Sequence, residues 1–468
     1  MMFLSKDFDT SVAQLKELLQ KDKNFDLVYR VITICGKKSA LFFIDAFTKD
    51  EIIEKIQEFF FSIDNKNFMR DAYTFSKNCV PYCEVDLSAD VHQVVTEILS
   101  GQTALLVEGF DRCILIDART YPQRATSEPN KDKSFRGSHD GFVETIVFNS
   151  ALLRRRIRTP SFCVEHHAVG SKSSTDIALC YLSDKADQAL LEKIRSRLTR
   201  LDVAALTMNS QSLRELLFPP KWYNPFPKVR YTERPDTAVA QIYEGNIVIL
   251  IDNSPSALIL PVYFFNLFEE ANDFYFPPLT GSYLQQARIW VPLIAMVLTP
   301  LWLLATQYPT ALPDWLAFIV PNEAKIPIFF QLLLLEFLID GLDLASLSTP
   351  NVLVTSLSMV GAVILGDFGV KSGWFTPDAL LYTAFITISN YSIPSMELGY
   401  ALKFSRLIFL VAVELFHFWG FVGAMTFWFL FLACNRGVDG KGYLYPLIPF
   451  RADALKHVLL RTKSKGGI

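Results

Sequence analysis

VVTEILSGQTALLVEGFDRCILID (94 to 117) lies without gaps on AVAQIYEGNIVILIDNSPSALILP (238 to 261), and this internal match decides how the first half of the chain is read. In each copy a stretch with helical spacing stops at a glycine, Gly101 or Gly245, and two apolar runs follow around a polar turn. Glycine suits the position just past a helix because it takes positive φ without steric cost. The pattern predicts helix, strand, turn and strand twice over, hence two related α/β subdomains.

Working outward, DLVYRVITIC and ALFFI flank Gly36, Lys37 and Lys38 as a hairpin, and EIIEKIQEFFFSI has helical spacing. The second copy adds STDIALCYLS as a strand and DQALLEKIRSRL as an amphipathic helix. Between the copies, TYPQRATSEPNKDKSF (120 to 135) has the composition of an exposed linker. We therefore expect subdomains over 1–125 and 126–287.

The remainder is different in kind. The chain has 468 residues, 51% of them hydrophobic, and a formal charge of −3, with a mean hydropathy of +0.25. That is too apolar for disorder, and the near-neutral charge argues against bulk nucleic-acid binding. Only 13 of the 146 residues from Ile289 to Cys434 are charged, about 9%, against about 25% elsewhere. This region, 288–434, reads as a membrane domain and the rest as aqueous.

A crossing helix needs about 20 apolar residues. The runs 289–307, 326–342, 374–392 and 407–434 qualify, the last as one long tilted helix, whereas 352–366 is short and is read as re-entrant or buried. Four full spans follow, with six as the alternative. The tail, 435–468, holds seven Lys/Arg and two Asp, which puts it on the cytosolic side and requires an even number of crossings. The start, MMFLSKDFDT, reaches charge before any apolar run develops, so no signal peptide is expected and the N-terminal region is assigned to the cytosol.

Ionisable residues at membrane depth are costly unless they face protein or water, and so mark ion paths. Glu336, Asp340 and Asp343 stand at i, i+4 and i+7, on one face of a helix. Repeated around an oligomer axis they would form acidic rings that favour cations; the alternative is a solvated cytosolic helix end. Asp367 with Lys371, and Glu414 with His417, read as internal pairs, while Lys403 and Arg406 sit against the positive-inside tendency in a four-span topology.

The aqueous half carries a second charged group: Arg136 and Glu144 in RGSHDGFVE, Arg154, Arg155, Arg156 and Arg158 in LLRRRIR, and Glu233, Arg234 and Asp236 in VRYTERPD. The arginines suit phosphate or anionic lipid; the alternative is pairing with Glu144, Glu165, Glu233 or Asp236. Pro235 pushes Arg234 out of the helical region, making TERPD a corner that presents charge. Seven cysteines make no disulfide framework, Cys79 and Cys83 lack a second zinc-spaced pair, and His166 and His167 read as surface or interface residues. No P-loop, GxGxxG, GxSxG or HExxH occurs, so the chain is read as a non-enzyme without cofactor or metal.

RGSHDGFVETIVFNSALLRRRIR, GSKSSTDIALCY, NPFPKVRYTERPD, EGNIVILIDNSPSALILP and SMVGAVILGDFGVKSG, in this order, resemble the A-subunit family of spore germination receptors. RGSHDGFVE, LEFLIDGL followed by STP, and IPSMELGYALKFSRL look closer to its stage V sporulation protein AF branch. The resemblance implies an α/β cytosolic region followed by a polytopic helical domain in the inner membrane of the bacterial spore. It also implies homo-oligomers that conduct monovalent cations, other spore inner-membrane germination proteins as partners, and no nucleic acid. A non-conducting scaffold is the rival reading. Asp343 stands where the family suggests an arginine, which alters the charge of the ion path.

Overall fold

The computed structural model describes residues 3–5, 7–64, 69–121, 139–321 and 325–460. Arg136 and most of the 120–135 linker lie outside the described residues. The chain divides into two compact units, the first taking 1–220 with 229–261 and the second 221–228 with 262–464.

The first unit holds two five-stranded antiparallel sheets. The first is built from α1 (Phe8–Leu18), β1 (Leu27–Ile34), β2 (Lys37–Ile44), α2 (Asp50–Phe61), α3 (Ala72–Asn78), β3 (Val85–Ser88), α4 (Val91–Leu99), β4 (Thr103–Val107) and β5 (Cys113–Ile116), with strand order β1-β2-β4-β5-β3. The second takes α5 (Ile146–Arg156), β6 (Phe162–Val169), β7 (Thr175–Leu182), α6 (Gln188–Arg200), α7 (Asn209–Leu217), β8 (Arg230–Thr232), α8 (Pro235–Tyr243), β9 (Ile247–Ile251) and β10 (Ala257–Leu260), in the order β6-β7-β9-β10-β8. The two orders are the same, and the internal match falls on α4-β4-β5 and α8-β9-β10. Gly101 and Gly245 take φ of 102° and 95° at the helix ends. A Cβ at Gly245 would lie 2.9 Å from the Lys185 carbonyl oxygen, so space as well as conformation reserves the position.

Helices cover both faces of the first sheet. Phe42, Leu106 and Leu115 pack with α1 and α4, while Leu41, Leu105 and Ile114 pack with α2 and α3. That is why β4 is buried at every position rather than alternating. The first hairpin turns at Cys35 and Gly36, φ 47° and 81°, one residue ahead of the expected place, because a two-residue turn needs positive φ at both positions.

The second unit is helical: α9 (Pro278–Gln307), α10 (Ile328–Ser348), α11 (Asn351–Ala362), a π-helical stretch (Val363–Phe368), α12 (Gly369–Lys371), α13 (Pro377–Tyr391), α14 (Met396–Cys434) and α15 (Ala452–Leu459). Two of these, α9 and α14, are long and apolar enough to cross a membrane, with mean hydropathy 2.0 and 1.9 in their most apolar stretches.

Their path differs from the sequence reading in two places. α14 is not one long tilted helix: His417 has φ 54° and ψ −131°, and the chain reverses there. Trp428 Nε1 donates to Ser405 Oγ at 3.1 Å, and the Phe409 and Phe421 rings lie 6.3 Å apart, whereas 12 residues of straight helix would separate them by about 18 Å. The first arm reaches back to Met396, about 31 Å long, because Lys403 and Arg406 find partners that the apolar count ignores. The second difference concerns 352–366, which belongs to a helical path from 351 to 371. Asp367 and Lys371, at i and i+4, pair at 2.7 Å and carry the helix past the last apolar residue. Leu353, Met359, Ile364 and Phe368 on this path are exposed.

Contacts order the passes. Gln331 at the start of α10 accepts from the Thr376 backbone N–H at the head of α13, and Asp343 near its end meets Tyr391 at the tail of α13, so these two helices are parallel. Between them the chain returns, with Gly361 against Leu342 and Gly373 against Lys325. The first arm of α14 runs antiparallel to α10. The helical unit thus contains six alternating passes, and α9 begins at the end of the bundle where α14 finishes.

Candidate functional site

The acidic stripe of α10 meets cations on the first arm of α14. Lys403 and Arg406, three residues apart, share one face of that arm, as Glu336 and Asp340 share one face of α10. Arg406 donates from Nε and Nη2 to the two oxygens of Glu336, at 2.7 and 2.9 Å. Lys403 Nζ stands 3.3 Å from the same carboxylate, donates to the Glu336 carbonyl at 3.2 Å, and pairs with Asp340. Side-chain exposure is 1% for Arg406 and 8% for Glu336 and Lys403, rising to 36% for Asp340.

Burial of such charges is tolerable because each ion has an opposite charge and hydrogen bonds. Asp343 continues the stripe outward, half-buried, and accepts from the Tyr391 hydroxyl at 2.9 Å. Asp367 is not brought to this cluster; it is exposed and bound to Lys371. Glu414 and His417 do not pair directly but share Gln307, whose Nε2 donates to Glu414 at 3.3 Å while its Oε1 lies 2.8 Å from His417 Nδ1.

Sequence reasoning missed Lys403, Arg406 and Tyr391 as members of the site. The usable signal was arithmetic: in so sparse a field of charge, two cations at i, i+3 and two acids at i, i+4 on separate helices should be sought as partners.

The arginine group of the first unit is dispersed. Arg154 is fully buried and donates to Asp26 at 2.9 and 3.1 Å, to Asn24 at 2.9 Å and to the Phe162 carbonyl at 3.0 Å. Asn24 also accepts from the Val164 backbone N–H at 2.8 Å, so this guanidinium joins the segment before β1 to β6. Its partner is none of the four acids expected. Arg156 bonds Asp140 at 3.0 Å, while Arg155 and Arg158 lie over the Tyr121 ring at 4.8 and 6.0 Å.

Arg234 is extended as expected but presents no charge: it is buried, with Nε 3.0 Å from Asp236 Oδ1 and Nη2 2.6 Å from Oδ2. Glu144 and Glu233 serve through their carbonyl oxygens, accepting from Asn253 and Phe142. Glu165 belongs to a network with Arg195, Tyr181 and His167. Burial acts to raise its carboxyl, yet the His167 ring 3.8 Å away and hydrogen bonds from Arg195 and Tyr181 together hold it at about 2. His166 bonds Asp176 at 2.9 Å near the surface. The seven cysteines are all free.

Two like sheets in one unit, and in the other a six-pass helical bundle pinned by a buried ion cluster, define a two-part protein with an apolar helical half. The chain belongs to the Bacillus/Clostridium GerA spore germination protein family, whose model matches residues 13–466. It is 35% identical to "Stage V sporulation protein AF" of Bacillus subtilis (strain 168) over 95% of this chain and 90% of that protein. It is 27% identical to "Spore germination protein KA" of the same organism, covering 79% and 68%, and 23% identical to "Spore germination protein GerLA" of Bacillus cereus, covering 91% and 87%. A crystal structure of the N-terminal domain of the A subunit of the Bacillus megaterium spore germinant receptor GerK3 matches at 24% identity and a TM-score of 0.44, covering 56% of this chain and 98% of that one. Membership in this family supports a role in spore germination.

Proposed function

We propose that this chain is an integral subunit of the germination machinery in the spore inner membrane, crossing it six times, with the sheet-bearing region and C-terminal tail on the cytosolic side. An even number of crossings agrees with the basic tail. The apolar exterior supports bilayer placement: 44% of the α9 apolar stretch and 28% of the α14 stretch are buried, and Phe337, Leu381, Phe416 and Trp419 stand exposed.

The finer function is conduction or gating of monovalent cations by an oligomer of this chain. The observation that carries this reading is charge balance. Glu336, Asp340 and Asp343 face Lys403 and Arg406, so each subunit keeps one negative charge, and Asp343 has a hydroxyl rather than a cation against it. Around an oligomer axis such charges attract cations. Asp367, apart from this cluster and neutralised by Lys371, adds no net charge to it.

The test is potassium and sodium efflux from liposomes. Asp343→Asn is expected to lower flux, because it removes a charge that attracts cations, while the detergent-extracted protein keeps its elution volume; unchanged flux removes Asp343 from the path. A second reading, a non-conducting scaffold that assembles other germination proteins, is favoured by the engagement of Glu336 and Asp340 within the chain. Folded wild type that passes no ion supports it.

A further inference from the structure

α15 is short and two-sided: Leu455, Val458 and Leu459 are half-buried, while Arg451 and Lys456 are exposed. Gln285 Nε2 donates to the Val458 carbonyl at 2.5 Å, and Gln286 donates to that of Leu459. Amides on the early turns of α9 thus satisfy carbonyls that a helix end leaves open. α15 is thereby fixed at one level of α9.

That level follows from length. α9 has 30 residues, about 45 Å, against a hydrocarbon core of ~30 Å, so roughly ten residues stand outside it. The N-terminal turns are the ones that suit the interface. Leu279 and Tyr283 are 86% and 71% exposed, and Arg288, paired with Asp273 at 2.9 Å, stands just before the apolar run. Phe274 and Phe450 are exposed as well. Aromatic rings whose neighbours are basic side chains are the composition of a headgroup layer. From residue 451 onward the sequence holds five Lys/Arg and one Asp.

We propose that α15 lies in the cytosolic headgroup layer and that Arg451 and Lys456 bind the phosphates of anionic phospholipids. The inference rests on the membrane reading above. Each basic side chain at such a surface raises affinity for anionic lipid roughly fivefold, and the attraction is screened by salt.

The full-length protein is reconstituted into phosphatidylcholine vesicles holding phosphatidylglycerol as the minor lipid. They are first washed at alkaline pH, and co-purifying phosphatidylglycerol is counted after mild detergent extraction. Wild type is expected to retain it above its bulk share. Arg451→Gln with Lys456→Gln should cut retention by about 25-fold, Arg451→Lys with Lys456→Arg should keep it, and ~0.5 M salt should strip it from wild type. Equal retention in wild type and the glutamine variant, or retention indifferent to salt, overturns the proposal. Loss of wild type in the alkaline wash overturns the membrane reading and this inference with it.

Discussion

Arg406 holds both oxygens of Glu336 along one edge of its guanidinium, through Nε and Nη2 at 2.7 and 2.9 Å, across two antiparallel helices. Fork geometry of this kind cannot be supplied by a lysine, whose ammonium is a single point of charge. The pair therefore specifies a register between α10 and the first arm of α14 as well as neutralising a charge.

Removing the Glu336 charge leaves Arg406 buried and uncompensated. Glu336→Gln is expected to destabilise the helical unit by about 3–5 kcal/mol, read as a lower thermal midpoint in detergent, and Arg406→Lys by a smaller amount. A Glu336→Gln protein as stable as wild type would show that the pair contributes no net stability.

The Arg154 and Asp26 side chains are 1% and 2% exposed, so the same logic applies between the two sheets. Asp26→Asn should cost about 3–5 kcal/mol, and Arg154→Met combined with Asp26→Leu should recover most of it, since an apolar pair of similar volume avoids desolvating ions. Hydrogen exchange at β1 and β6 reports the outcome; a double variant as weak as the single one argues against this account.

The reversal at His417 brings Gly420 against the Ala412 carbonyl, where a Cβ has no room, whereas a Cβ at Gly423 meets nothing within 4 Å. Gly420→Ala should destabilise the bundle by about 2–4 kcal/mol and Gly423→Ala by almost nothing. Equal midpoints for the two variants would contradict the folded-back arm.

Glu165 gives a pH dependence of definite sign. Its carboxyl is held at about 2 in the folded protein against an ordinary 4.5. The stability it contributes is therefore complete above pH 4.5 and is lost as pH falls toward 2. After discounting for solvent, the loss is on the order of 1–2 kcal/mol. Glu165→Gln should flatten the acid limb of a denaturation profile followed at β6 and β7; a profile unchanged by the substitution would exclude this source.

The duplicated sheet was legible because its signals are local: a glycine at each helix end and apolar runs around polar turns. Arg154 was not, because the nearby Glu144 and Glu165 are equally plausible on charge, and nothing in the spacing singles out Asp26, 128 residues away. The reversal in α14 left no mark either. Glycine or proline usually announces a turn, but here a histidine takes the positive φ within a largely apolar run. The acidic stripe was visible on α10, yet its counter-charges looked like a topological cost until the two helices met.

A helix of 39 residues without that reversal would end about 58 Å from its start. Folded at His417, it instead delivers Asn435 back to the end of the bundle from which α9 departs, within 3.2 Å of Asn224. One backbone conformation thus sets the parity of the bundle. In the six-crossing arrangement proposed above, the hinge of the tip decides on which side of the membrane the last 34 residues of the chain fall, and a lesion there would misdirect the tail without touching it.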